Sequence, residues 1–311
     1  MSSLEQVVSP SAAEKATELI KGAFDIHQHV GPDLWERSAD AVDFARRASA
    51  LGMGGFALKN HCVETGTWAT ILGRMFEGLR IFGTHVVNYA SGGWNPQVVE
   101  TSLMLGARIV YMPTIHSEHT IKGLGMSTGP LGIAPAPKET PAGYPKGLSI
   151  FDDSGAILDA VWEILRLIKD YNVALGTGHL SSREIPSLVD AAQSVGVERI
   201  ILTHMSFPVL GDVPESEQIR LAGQGLYFEH SYQTTKHLPV IRKPATIDHI
   251  VADIRRVGLE RSIFSSNYGQ PQLPSPEQGL LEGIGALVDA GVSDADIESL
   301  VRRAPLEFLA A

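Results

Sequence analysis

The sequence predicts an α/β chain closed into a (β/α)8 TIM barrel. Short β-rich runs alternate with amphipathic helical stretches along almost the whole chain, and eight such strand–helix units can be counted. A length of 311 residues suits one barrel with an insertion. Helical crossovers make neighbouring strands parallel, and eight parallel strands close naturally on themselves. A doubly wound open sheet is the competing topology. It is disfavoured because no Gly-rich phosphate-binding turn follows the first strand.

The strands are read in order as FDIHQHV (24–30), GGFALKNH (54–61), RIFGTHVVNY (80–89) and RIVYMPT (108–114), then VALGTGH (173–179), RIILTH (199–204), LYFEHSY (226–232) and SIFSSNY (262–268). Each is short, rich in β-branched or aromatic residues, and bounded by turn formers. The intervening stretches, such as ADAVDFARRASALG and ILDAVWEILRLIKDYN, carry apolar residues at three- and four-residue spacing. Several end in Gly, a helix stop. Trp68 and Trp162 occupy helical positions and read as packing residues. DADIESLVRRAPLEFL reads as a terminal helix packed on the barrel. Residues 117–150 break the rhythm with a Gly- and Pro-dense stretch after the fourth strand. A loop of that length is expected to be a lid over the catalytic face or a tolerated excursion within a single domain spanning 1–311.

The formal charge of -10 excludes phosphate backbones and anionic lipid surfaces as natural partners. That leaves a small-molecule substrate, with self-association into a homo-oligomer open. The N-terminus carries no basic segment followed by an apolar one, and no run approaches membrane-spanning length. A single cysteine, Cys62, rules out an internal disulfide. Together these point to the cytoplasm.

Six of the eleven histidines, His27, His29, His61, His116, His179 and His204, fall at or just past the carboxyl ends of predicted strands. In a parallel barrel those ends converge on one face. His27 and His29 are two apart on the first strand, so both imidazoles point inward, and neutral imidazoles gathered there form a natural divalent-cation site. Asp25 shares their phase and could orient one of them, or simply start the strand. Lys59 shares phase with His61. Glu229 and His230 are adjacent on the seventh strand, so only one faces inward, and His230 is the expected substrate contact. Asp33, Trp35 and Trp94 follow strands 1 and 3 and are expected at the pocket mouth.

The run Asp25-Ile26-His27-Gln28-His29, with His179 after VALGTG, His204 after RIILT and a polar residue ending strand 8, resembles the amidohydrolase superfamily over nearly the whole chain. The resemblance implies a hydrolase in which one or two divalent ions activate a water against a small amide, lactam, lactone or ester, carboxylate-bearing substrates included. Zinc is the default ion, with manganese or iron as alternatives. It implies metal ligands at His27, His29, His179 and His204, with a bridging group for which Lys59, carboxylated, is the nearest candidate. Lys59 could instead stay an ammonium that binds substrate together with His61, His116, His230 and Trp94. Asn267 aligns where the family places an aspartate that binds metal and takes a proton, and an amide cannot be a general base. Asn267 therefore reads as an arrested replacement of aspartate, or His204, His230 or His116 supplies the base, or hydrolysis has been lost. A metal-dependent decarboxylase, a di-iron oxygenase and a catalytically dead binding protein are the rival functions.

Overall fold

The computed structural model describes residues 4, 7–124, 146–205, 207, 213–238, 241 and 243–310. Most of the expected lid, 125–145, lies outside these residues. Its flanks are described: Ser117 and Leu148 form a parallel bridge, followed on the first side by a short helix, Glu118–Leu124.

Eight strands form one parallel sheet in sequential order: β1 (Phe24–His29), β2 (Gly55–Lys59), β3 (Arg80–Val86), β4 (Ala107–Tyr111), β5 (Ala174–Gly176), β6 (Ile200–Leu202), β7 (Tyr227–Ser231) and β8 (Ser262–Ser265). The sequence order excludes the doubly wound sheet, whose strands reverse at a switch point. The seam between β8 and β1 is closed just past β8, where Asn267 N donates to His27 O at 2.8 Å and His29 N to Tyr268 O at 2.8 Å. Asp25 reinforces it by accepting from the backbone N–H groups of His27 and Ser266, each at 3.2 Å, and from the Ser266 hydroxyl.

Helices cover the outside. Before β1 runs α1 (Pro10–Leu19), a helix the sequence reading did not single out; Ser9 caps it and its Ala12, Ala16 and Leu19 pack in one cluster with Leu280, Ile284 and Leu287. The crossovers include α2 (Ala41–Ala50), α3 (Gly66–Met75), α4 (Pro96–Met104), α5 (Glu118–Leu124), α6 (Asp159–Asp170), α7 (Glu184–Val195), α8 (Glu215–Gly223) and α9 (Ile247–Val257), and α10 (Pro276–Asp289) follows β8. Trp68 and Trp162 pack against the helix-layer clusters.

Inside the barrel the amino ends of the strands hold Phe24, Ile26, Ala57, Ile109, Ala174, Ile201, Tyr227 and Ile263. The terminal segment, expected as one helix, comprises α11 (Asp294–Glu298), a π turn (Ser299–Arg303) and α12 (Ala304–Leu309). Its Phe308 and Leu309 plug that end, with the Phe308 ring 5.2 Å from Tyr227. Closing the apolar end leaves the carboxyl end for chemistry. No helix among the described residues is long and apolar enough to cross a membrane.

Candidate metal centre

Backbone irregularities aim the polar side chains. The β1–β2 register shifts between Asp25 and Gln28, so both Ile26 and His27 face the interior. This bulge lets an apolar floor residue be followed at once by an inward histidine. It also overturns the phase expected for Asp25, which serves the seam and not the imidazoles. Lys59 ends β2 beside His29. After β5, Gly178 adopts φ +61°, and a Cβ there would collide with the carbonyls of Met112 and Pro113. Glycine is required for the chain to turn and present His179. His204, just past β6, has φ 60°, an uncommon region for a non-glycine residue.

The result is a row of five buried imidazoles. Ring centroids are 4.5 Å apart for His61–His29, 5.4 Å for His29–His27, 4.8 Å for His27–His204 and 5.1 Å for His204–His179. Glu229 enters from β7. Its Oε1 accepts from His27 Nδ1 at 2.6 Å, Ser265 Oγ at 2.6 Å and Ser231 Oγ at 3.0 Å, while the nearest described donor to Oε2 is His204 N at 3.4 Å. With Nδ1 protonated by this carboxylate contact, His27 Nε2 is the acceptor for Lys59 Nζ at 2.8 Å. The Lys59 ammonium also stands 4.5 Å above the Tyr111 ring. Thr120 Oγ1 lies 3.1 Å from His179 Nδ1, and Thr114 Oγ1 lies 2.9 Å from His61 Nδ1.

Burial dominates the protonation states. It pulls His29, His61, His179 and His204 well below the usual imidazole range; neighbouring basic groups push the same way, and at His204 the Glu229 carboxylate opposes them without prevailing. Burial also lowers His27, against the pull of Glu229. It brings Lys59 down to about 7 and raises Asp25 to about 7. For Glu229 burial acts upward, but His27, His204 and Lys59 outweigh it and hold the carboxyl well below its ordinary value. Near neutrality the centre is therefore an ionised carboxylate among neutral imidazoles.

The structure brings together His27, His29, Lys59, His61, His179 and His204. His230 is not with them: it points outward and shares a hydrogen bond with Ser262 Oγ at 3.2 Å, because strict alternation gives the inward position to its neighbour Glu229. Asn267 lies past the end of β8 at φ 52°, and its Nδ2 donates to Gln233 Oε1 at 2.8 Å. The interior position on β8 belongs to Ser265. His116 packs edge-on against Tyr89 at 5.5 Å and is not one of the row. Trp94 lines a cleft of about 520 Å³ with Tyr89, Leu148, Phe151 and Arg183, to which no imidazole of the row contributes. Trp35 stands edge-on to His61 at 6.1 Å, at the mouth as expected. Glu229 is the residue the sequence reading passed over. Its signal was two inward serines, Ser231 and Ser265, available to hold a buried acid.

These residues fit a divalent cation. Side-chain ligand atoms of His27, His204 and Glu229 lie within 4.8 Å of one another, all buried. His29 Nδ1 and His179 Nε2 are buried nitrogens with no hydrogen-bond partner. Orphaned polar atoms are costly unless something binds them. At His27 Nε2, a cation would have to displace the Lys59 amine.

Fold and centre together define a parallel (β/α)8 barrel whose carboxyl end gathers histidines around one carboxylate. Residues 22–229 match the Family of unknown function (DUF6282), and the chain belongs to that family. No curated protein matches the sequence. Among solved structures it is similar to an amidohydrolase from Pseudomonas aeruginosa, at 11% identity and TM-score 0.61, covering 96% of this chain and 98% of that one. It is similar to the probable dipeptidase PvdM from the same organism, at 11% identity and TM-score 0.62, covering 97% and 98%. A putative 2-pyrone-4,6-dicarboxylic acid hydrolase from Pseudomonas putida matches at 15% identity and TM-score 0.57, covering 93% and 97%. At such identities the likeness establishes the shared barrel, in agreement with the amidohydrolase resemblance read from the sequence.

Proposed function

We propose that the chain is a metal-dependent hydrolase acting on a small amide, lactam, lactone or ester. The observation that carries this reading is the buried His27–His204–Glu229 group flanked by the orphaned nitrogens of His29 and His179. His27, His29, His179, His204 and Glu229 would hold the cation, zinc by default. When bound, it would polarise a carbonyl and lower the pKa of water. The likeness to the barrels of an amidohydrolase, a probable dipeptidase and a putative 2-pyrone-4,6-dicarboxylic acid hydrolase supports the same reaction class.

The chain's own residues divide the remaining work. Glu229 fixes the His27 tautomer through Oε1, while its Oε2 carries only the long contact from His204 N at 3.4 Å. Lys59, at about 7, can exchange a proton near neutrality and faces the reacting side of His27. Thr120 orients His179. The partner is a small molecule in a cytoplasmic setting, in keeping with the acidic charge of -10.

The test is elemental analysis of the purified chain, combined with a panel of lactones and N-acyl amides assayed before and after chelation. Stoichiometric metal and chelator-sensitive turnover restored by zinc are expected. A chain that takes up no divalent ion, or hydrolyses equally after chelation, would refute the reading. A metal-bound chain that instead releases CO2 from an acidic substrate would be a decarboxylase.

A further inference from the structure

The loop between β1 and α2 carries chemistry that the metal centre does not use. It is pinned on both sides: Gly31 N donates to Ala39 O, Ser38 N to Gly269 O, and Asn60 Nδ2 to Pro32 O at 3.3 Å. Within it, the side chain of Arg37 is only 5% exposed and that of Asp33 is fully buried. Their pairing is lopsided. Arg37 Nε donates to Asp33 Oδ2 at 2.8 Å, and Nη2 crowds the same oxygen at 2.7 Å without an aligned hydrogen bond, while Asp33 Oδ1 is taken by Leu34 N. A carboxylate and a guanidinium normally meet as a two-pronged fork, and this pair does not. Nη2 of this guanidinium is thus left without an aligned acceptor. The guanidinium carbon lies 5.7 Å over the Trp35 ring, and Trp35 in turn meets His61 of the imidazole row. The Arg37 charge also depresses His29, His61 and Lys59, so it is felt inside the centre.

We propose that Arg37 and Trp35 form a carboxylate subsite, the guanidinium taking a substrate carboxylate on its unforked edge and the indole lying against the substrate's planar body. The substrate class is then a small unsaturated or aromatic acid whose scissile group reaches the imidazole row. This rests on the reading of that row as the reacting centre.

Calorimetric titration of the protein as purified with benzoate and with its neutral isostere benzamide tests the subsite without requiring turnover. Benzoate is expected to bind, and benzamide at least about tenfold more weakly, as befits a charge-assisted contact. Arg37→Met should weaken benzoate by about tenfold to a hundredfold. Because that change orphans Asp33, the double variant Asp33→Asn/Arg37→Met is measured beside it and should show the same loss. Asp33→Asn alone removes the competing anion and should tighten benzoate, which an arginine serving only to hold the loop would not do. Equal affinity for benzoate and benzamide, no benzoate binding, or unchanged affinity in the double variant would overturn the proposal. Metal content reports on the hydrolase reading separately: a chain that binds benzoate through Arg37 yet holds no metal keeps the subsite and loses that reading.

Discussion

The two ends of the barrel are built to opposite rules. At the amino end, Phe24, Ile26, Tyr227 and Ile263 close over Phe308 and Leu309, an apolar plug that removes surface from water. At the carboxyl end, five imidazoles, a carboxylate and an ammonium are equally buried, with at least two nitrogens unpartnered. Burying polar groups in this way costs stability unless they are paired. Cohesion therefore resides at one end and chemistry at the other, separated along β1 by a single bulge between Ile26 and His27.

Changes at the two ends should consequently separate metal binding from stability. The largest effect is expected from His27→Ala/His29→Ala, which should abolish stoichiometric metal while the metal-free protein melts within a few degrees of the metal-free parent. Elemental analysis and thermal unfolding check this; collapse of the fold would mean that the centre is structural. Phe308→Ala at the plug should do the reverse, costing ~3–5 kcal/mol in denaturant unfolding with metal content intact. Loss of metal in that variant would break the division.

A smaller effect belongs to the helix layer. His85, on the outer face of β3 against Ser102, is held down to about 4 by burial, from an ordinary 6.5. Between those values the unfolded chain binds a proton that the fold refuses, so stability should fall as pH drops from 6.5 towards 4, by about 1.4 kcal/mol per pH unit at most from this group. His85→Gln should make the measured slope shallower by up to that amount, the other buried histidines still contributing; an unchanged slope would exclude His85 as one of its sources.

The smallest effect is expected from Asn267→Asp. Its Nδ2 is committed to Gln233 Oε1 and the carboxylate of the centre is already supplied by Glu229, so a new carboxylate there should leave turnover nearly unchanged, not raise it by the ~10²–10⁴ typical of a general base. A steady-state assay on any hydrolysed lactone decides this, and a gain of that size would return the acid's role to strand 8.

The barrel was legible in the sequence because eight apolar runs and their helical crossovers repeat in order, and the histidines were legible because they punctuate the ends of those runs. Residue phase was legible only in part. Alternation places Lys59 with His61 but cannot say which face of a doubly buried strand is the interior, so in FEHS the inward position was assigned to His230 when it belongs to Glu229. Asp25 escaped for another reason: a bulge inserts one residue into β1 and leaves no mark in a two-residue period. Asn267 was read from strand position alone, whereas its left-handed backbone carries the side chain towards Gln233. The apolar plug was foreseen as a packed helix, but its entry into the barrel floor depends on tertiary packing.

The central claim is that the carboxylate of this centre stands on β7, at Glu229. Zinc titrated calorimetrically into metal-free parent and Glu229→Gln tests it most directly. The glutamine keeps an oxygen for Ser231, Ser265 and the His27 N–H, so the fold should survive. Affinity is expected to fall by at least about a hundredfold, at or beyond the upper end of what losing an outer-sphere partner costs. Equal zinc affinity in the two proteins would contradict the assignment.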